Sequence, residues 1–274
     1  MPELPEVETI AAGLRARVVG LVIGRVEVLL PKLLRATSAE DLEALAGAAV
    51  TGVRRRGKIL ILECGPWILL FHLKMTGRFL WAGPDVPVDG HTRLVMRFVG
   101  VRDELRFRDV RKFGFLRLLP AKEADSCLEI RRLGPEPLEI SRPEFESRLR
   151  VRRGRVKSLL LDQRFLAGVG NIYADEMLFA AGIDPRLPAS RLRPAERRRL
   201  WKAMRSVLRR AVAVGGSSVR DYRGVGGEVG EFQTRHRVYG RAGRPCVRCG
   251  ASVRRRVLGG RSTFSCPRCQ PGRG

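Results

Sequence analysis

Long apolar runs are missing from this chain. The longest, Trp67 to Leu73, is interrupted by His72 and is far too short for a bilayer, which excludes a helical membrane span as the seat of function. A secretory leader is missing too: the start is acidic and carries no long apolar segment, so the protein is expected in the cytoplasm and not in a membrane. Acidic residues are scarce, with 28 Asp plus Glu against 53 Lys plus Arg and a formal net charge of +25. That imbalance does not fit an ordinary metabolic enzyme. It points to a polyanion, most simply nucleic acid, and arginine supplies a planar fork suited to phosphate. A cytosolic or nucleoid-associated location is expected. Cysteine is nearly absent before residue 246: Cys64 and Cys127 stand alone and read as small buried hydrophobes, while the other four of the six crowd the last thirty residues. In a reducing compartment such a cluster argues for metal rather than disulfides. No internal repeat is visible.

The 274 residues, 44% of them hydrophobic, suffice for two domains with real cores. Val7, Ile10, Ala11, Leu14 and Val18 recur at helical spacing, predicting one amphipathic helix entered through Pro5 and stopped near Gly20. Short β-rich runs follow at 21–30, 58–62, 68–73, 93–99, 105–108 and 115–119, punctuated by Gly, Pro and Asp, with a short helix expected over 39–45. Strands at this spacing read as a sandwich or barrel. After Gly134-Pro135-Glu136-Pro137 the period becomes helical, with helices expected over 143–151, 156–162, 172–181 and 194–214. Gly168 and Gly170 flank Val169 between two of these helices, where backbone amides can approach a phosphate with a helix N-terminus just behind. The glycine-rich stretch 215–230 reads as a mobile loop.

Two motifs carry chemistry. Cys246-x-x-Cys249, sixteen residues, then Cys266-x-x-Cys269 has structural zinc spacing; four thiolates close a tetrahedron and leave no open position. Between the knuckles, 253–258 and 261–265 read as a hairpin turning at Gly259-Gly260, which puts Arg261 beside the tip. The second motif is the start itself, Met1-Pro2-Glu3. A Met before so small a residue is usually trimmed, so the mature chain is expected to begin at Pro2. A terminal proline is a free secondary amine, which attacks carbon at the aldehyde oxidation level to give an iminium, and the carboxylates behind it can deliver a proton to a leaving group. Many chains begin Met-Pro, and Pro-Glu also suits a first helical turn, so Pro2 alone does not settle the matter.

Together, Pro2-Glu3-Leu4-Pro5-Glu6-Val7-Glu8, Val169-Gly170-Asn171-Ile172-Tyr173 and the four-cysteine hairpin resemble the bacterial formamidopyrimidine-DNA glycosylases, from residue 2 to about 269. The resemblance implies an α+β protein: an N-terminal β-sandwich with its helix over 1–134, a helix-two-turn-helix domain with a lid loop (217–230) over 135–230, and a zinc finger over 231–274. It implies a monomer acting on damaged double-stranded DNA, with one structural zinc held by Cys246, Cys249, Cys266 and Cys269 and no cofactor for catalysis. By resemblance Pro2 is the nucleophile at C1′ and Glu3 the general acid. Lys58 assists β-elimination, and Arg261 grips the phosphate beside the lesion and assists the second elimination. Met75, Arg111 and Phe113 match void-filling residues, and Lys112 stands where some relatives carry arginine. His72 and Asn171 match phosphate clamps; His91 and Arg152 are further DNA contacts by position. The implied activity is excision of oxidised purines, 8-oxoguanine and formamidopyrimidines, followed by β,δ-elimination. A sister activity on oxidised pyrimidines would share much of this, but 4–8 and the Met75/Arg111/Phe113 set favour the purine enzyme. A zinc protein that only binds DNA is disfavoured by the intact Pro2, Glu3, Lys58 and Arg261.

The charge alone yields a first prediction. Affinity for duplex DNA falls steeply with salt, each neutralised phosphate adding about −0.9 to the log–log slope; a flat response in a salt titration contradicts the assignment of a polyanionic partner.

Overall fold

The computed structural model describes residues 1–219 and 222–272. They group into two compact units, 1–131 with 215–231, and 132–214 with 232–274. This differs from three consecutive segments in two respects, and packing explains both. The 215–231 segment belongs with the N-terminal unit because Tyr222 and Val225 are buried in that unit's core and the Trp81 N–H donates to the Val225 carbonyl at 3.1 Å. The cysteine hairpin belongs with the helices because it is bonded to them through buried side chains.

The first unit opens on α1 (Leu4–Val18). Pro5 sits in its first turn, where a missing N–H costs nothing, and Arg15 and Arg17 sit in its last turn, where they suit the dipole. Leu4, Val7, Ile10, Ala11, Leu14 and Val18 form the buried stripe. Eight strands follow: β1 (Ile23–Val28), β2 (Val50–Arg56), β3 (Ile59–Cys64), β4 (Trp67–His72), β5 (Arg78–Ala82), β6 (Thr92–Phe98), β7 (Glu104–Arg108) and β8 (Phe115–Pro120). They make two four-stranded antiparallel sheets, in the orders β1-β6-β7-β5 and β2-β3-β4-β8. One hydrophobic core includes Leu60, Leu62, Leu69 and Phe71 from one sheet and Leu94, Met96, Leu105 and Phe107 from the other. Phe71, Phe79 and Phe107 meet there with ring centroids 5.0–5.6 Å apart. Truncating one such ring to alanine costs about 3–5 kcal/mol.

Strands β2 and β5 are absent from the expected set. β2 is Val-Thr-Gly-Val-Arg-Arg-Arg, and its charged end disguises a strand whose Arg55 carries structural work. Arg55 Nε donates to Glu8 at 2.7 Å, and Arg15 donates to the Val53 carbonyl at 2.8 Å, so α1 is tied to β2 at two points. The short helix expected over 39–45 is a 3₁₀ helix over Glu40–Leu45. After α2 (Leu128–Arg131) the chain passes to the second unit.

That unit contains α3 (Arg142–Arg150), α4 (Val156–Leu161), α5 (Asn171–Ala181) and α6 (Pro194–Ala213), then the hairpin β9 (Arg254–Leu258) and β10 (Arg261–Ser265). α6 buries one face through Leu200, Met204, Val207, Leu208 and Ala211, whereas α5 is buried almost all round, as a core helix should be. Two acids nevertheless lie in α5. Asp175 is fully buried, pairs with Lys157 Nζ at 2.7 Å and accepts the Phe264 N–H at 2.9 Å. Glu176 accepts three successive backbone N–H groups, from Arg237, Val238 and Tyr239, at 2.9–3.0 Å. Lys157 Nζ also reaches the Ser262 carbonyl at 2.9 Å and the Thr263 hydroxyl at 2.8 Å. The helices thus grip the hairpin through buried charge. Lys157, although it closes the arginine-rich stretch 150–157, is 1% exposed.

Removing one member of such a pair strands the other in the core, at about 3–5 kcal/mol. Lys157→Ala is therefore expected to lower unfolding free energy in urea by that amount; a loss under about 1 kcal/mol would show that the pair does not hold the hairpin.

Candidate DNA-repair site

Within the first unit, Pro2 and Glu3 are buried at the head of α1. The Glu3 N–H donates to Glu6 Oε2 at 2.7 Å, which fixes the backbone where the chain enters the helix. Glu6 Oε1 accepts the Ser217 N–H, also at 2.7 Å, so the same carboxylate holds the root of the 215–231 segment. Gly216 has φ +76, and a Cβ there would stand 2.6 Å from Glu6 Oε1, so the approach requires glycine. Rather than standing free, the segment expected to be a mobile loop is anchored at its root and through Val225; of its residues, Arg220 and Asp221 lie outside the described set. Sequence reading treated Glu6 as one of several acids near the terminus and gave it no separate role.

Lys58 follows the turn at Gly57 between β2 and β3 and is 6% exposed, so it is no solvated strand end. Ile59 beside it pairs with His72. The Lys74 N–H donates to His72 Nδ1 at 3.0 Å. That bond leaves Nε2 to carry the proton of the neutral ring. Burial, with Lys74, Lys58 and Arg35 nearby, drives the imidazole from 6.5 down to about 3.

Met75, Arg111 and Phe113, separated in sequence, come together. Arg111 Nη1 lies 3.0 Å from Met75 Sδ, and its guanidinium carbon lies 4.7 Å from the Phe113 ring centre. Met75 is 42% and Phe113 51% exposed, so neither is a core residue. Both adjoin a lysine in the left-handed region, Lys74 at φ 51 and Lys112 at φ 58. Such backbone persists where the surroundings over-determine it, and it collects at functional sites. Beside these loops is a pocket of about 530 Å³ lined by Lys32, Arg35, Lys74, Lys112 and apolar neighbours. His91 is exposed on a loop of the same unit.

The second unit carries the other expected residues. Asn171 is the first residue of α5, and its Nδ2 donates to the Ser262 carbonyl at 2.9 Å, which sets it beside Arg261. Arg261 is exposed at the start of β10, next to the turn made by Gly259 and Gly260 in left-handed conformations. The Gln163 side chain, which no sequence signal singles out, clamps the connection before α5: Nε2 donates to the Val169 carbonyl and Oε1 accepts the Gly168 N–H, both at 2.8 Å. Arg152 is exposed in the link between α3 and α4, and no described side chain bonds it. The cysteine sulfurs lie within 4.8 Å of one another, Cys246 and Cys269 at 3.8 Å, Cys249 and Cys266 at 3.5 Å. Zinc–sulfur bonds of about 2.3 Å put tetrahedral sulfurs about 3.8 Å apart, so the four fit that ion. Cys64 and Cys127 are buried and take no part in this cluster; burial pushes the Cys64 thiol up to about 12. Among the described residues, no helix is long and apolar enough to cross a membrane.

Three family models match the chain: the formamidopyrimidine-DNA glycosylase N-terminal domain over residues 1–116, the formamidopyrimidine-DNA glycosylase H2TH domain over 133–223, and the zinc finger found in FPG and IleRS over 243–272. Formamidopyrimidine-DNA glycosylase of Pelotomaculum thermopropionicum is 42% identical over 98% of this chain and 99% of its own length; that of Listeria monocytogenes is 40% identical over 98% and 100%. Among solved structures, Lactococcus lactis Fpg in complex with abasic-site DNA superposes with a TM-score of 0.93 at 36% identity, covering 98% of this chain and 100% of that one. The L. lactis Fpg (MutM) complex with N7-benzyl-Fapy-dG DNA gives 0.93 and 36% over 99% and 100%.

His72 gives a pH prediction. Its folded value lies below the unfolded one, so the unfolded chain takes up a proton near pH 6.5 that the folded chain refuses until about 3. This group's contribution is whole above pH 6.5 and is lost as pH falls toward 3, at up to about 1.4 kcal/mol per pH unit. Wild type should therefore lose more unfolding free energy than His72→Gln between pH 7 and pH 5; parallel losses would contradict the buried neutral ring.

Proposed function

Because the chain belongs to the formamidopyrimidine-DNA glycosylase family, we propose that it is a bifunctional DNA glycosylase and AP lyase that removes 8-oxoguanine and formamidopyrimidines from duplex DNA and then cuts the strand. The observation that carries this reading is in the first unit. Three side chains distant in sequence form one exposed apolar and cationic cluster, in the unit whose first helix begins with a buried Pro2-Glu3. Two apolar groups and one donor fork are the chemistry needed to occupy a vacated base stack and satisfy the base left behind. Phe113 wedges between base steps, Met75 takes the vacated place and Arg111 contacts the orphaned cytosine. Extrusion costs a few kcal/mol, less at a damaged nucleotide.

The chemistry follows from the groups in hand. The Pro2 amine bonds to C1′, and the base leaves with the electrons of its glycosidic bond. Glu3 protonates the deoxyribose ring oxygen, and the opened sugar remains joined to Pro2 as an iminium. That electron sink acidifies C2′; with Lys58 assisting, the proton leaves C2′ and the 3′ phosphate departs. Arg261 holds the phosphate beside the lesion and assists departure of the 5′ phosphate, so a one-nucleotide gap remains. His72 and Asn171 donate to phosphates flanking the extruded nucleotide, and His91 and Arg152 add further backbone contacts. Cys246, Cys249, Cys266 and Cys269 would hold Zn²⁺, which supplies rigidity to the hairpin bearing Arg261 and takes no part in bond making.

The purified protein should release 8-oxoguanine opposite cytosine, nick the strand and be trapped covalently on that duplex by borohydride. Pro2→Gly should still bind but release the base far more slowly, and Glu3→Gln should slow base release by about 10²–10⁴. Wild type that cleaves without ever being trapped refutes the amine mechanism.

A further inference from the structure

Met75, His91, Arg111 and Phe113 lie on three separate connections of the first unit, and one buried residue bonds to all three. Asp109, just past the end of β7, is 1% exposed. Its N–H donates to the His91 carbonyl at 2.9 Å. Its own carbonyl accepts Nε of the buried Arg93 at 2.9 Å, and Arg93 donates onward to the Gly90 carbonyl at 3.0 Å. Its carboxyl oxygens divide between the other two connections: Oδ1 accepts the Thr76 hydroxyl, and Oδ2 accepts the Gly114 N–H at 2.7 Å. The Thr76 oxygen in turn accepts the Arg111 N–H at 3.0 Å. The hydroxyl therefore donates one hydrogen bond and accepts another, both joining its own loop to the 109–114 connection, a pairing that neither valine nor alanine could make.

The surroundings leave this arrangement little freedom. A Cβ at Gly114 would stand 2.9 Å from the Phe107 ring and 3.1 Å from Asp109 Oδ2. Lys74 and Lys112 hold left-handed backbone one residue from Met75 and Phe113. Exposed loop tips of this kind do not keep such conformations unaided. The Arg111 bond to Thr76 and the Gly114 bond to Asp109 bracket Lys112, while the Lys74 N–H is held by His72 Nδ1.

We infer that Asp109 and Thr76 are a positioning pair that fixes Met75, Arg111 and Phe113 as one preformed wedge, with His91 registered to it, so that the three side chains enter the duplex as a unit. Ordering these loops is then completed in folding and is not repeated at every base extrusion. Neither residue touches DNA in this account; each acts through the loops it ties. The inference rests on the reading of those side chains as void fillers.

The test compares wild type, Thr76→Val, Thr76→Ser and Asp109→Asn. The activity readout is the ratio of 8-oxoguanine excision opposite cytosine to that opposite adenine, because this ratio depends on where Arg111 stands and a general loss of stability leaves it unmoved. Thr76→Val should lower the ratio about tenfold, the scale of one misplaced base contact, and Thr76→Ser, which keeps the hydroxyl, should preserve it. Asp109→Asn, whose amide can accept from only one of Thr76 and Gly114, should also lower it and decides the matter if Thr76→Val does not fold. Amide hydrogen exchange on the free proteins gives an independent reading: Arg111 should lose protection in Thr76→Val and Gly114 in Asp109→Asn. An unchanged ratio in the folded variants, or a Thr76→Ser ratio as low as that of Thr76→Val, overturns the inference. Wild type that excises from neither duplex defeats the proposed function instead, and unchanged exchange at Arg111 and Gly114 then overturns the positioning pair by itself.

Discussion

Glu6 has both carboxylate oxygens committed to backbone N–H groups, that of Glu3 on one side and that of Ser217 on the other, each at 2.7 Å, and it is 1% exposed. A buried carboxylate is tolerated only where such donors surround it. Backbone donors also fix direction, because they cannot rotate away as side chains do. The head of α1 and the root of the 215–231 segment are therefore set by one group. Gly216 follows from it, since any side chain there would strike the carboxylate. The Arg55–Glu8 pair and the Arg15 bond to Val53 then hold α1 against β2. The result is a chain terminus with a defined direction, which terminal segments ordinarily lack.

The second unit solves a similar problem with different residues. Its hairpin has little apolar surface of its own, and the four sulfurs, Lys157 and Asp175 compensate. Burial pushes the Asp175 carboxyl up to about 7 in spite of Lys157, a measure of how strongly charge is disfavoured there. The same bonds place Asn171 and the exposed Arg261 side by side on rigid elements. A site built on fixed elements needs less reorganisation when ligand arrives.

Much of this was legible in the sequence, for physical reasons that differ from element to element. The apolar spacing of α1 and the strand rhythm between 58 and 119 carried the sandwich, because burial dictates both periods. The cysteine spacing carried the metal cluster, since tetrahedral coordination has few solutions. β2 was hidden because its second half is three arginines in succession, which breaks the apolar alternation, and β5 because Arg78-Phe79-Leu80-Trp81-Ala82 is short and lacks alternation. Lys157, Asp109 and Glu6 were hidden for another reason. A buried charge looks like a solvated one until its partners are known, and the partners are backbone groups or residues far off in the chain. The Gly-rich 215–230 stretch read as loose because composition reports turns, whereas Glu6, Trp81 and Val225 hold it down.

The central claim is that the nitrogen of Pro2 is the atom that bonds to the sugar. Peptide mass spectrometry of the borohydride-reduced protein–DNA adduct tests it most directly. The account predicts that the sugar remnant resides on a peptide beginning at Pro2, with Met1 absent. A remnant on Lys58 or any other lysine, or an active enzyme that retains Met1, would contradict it.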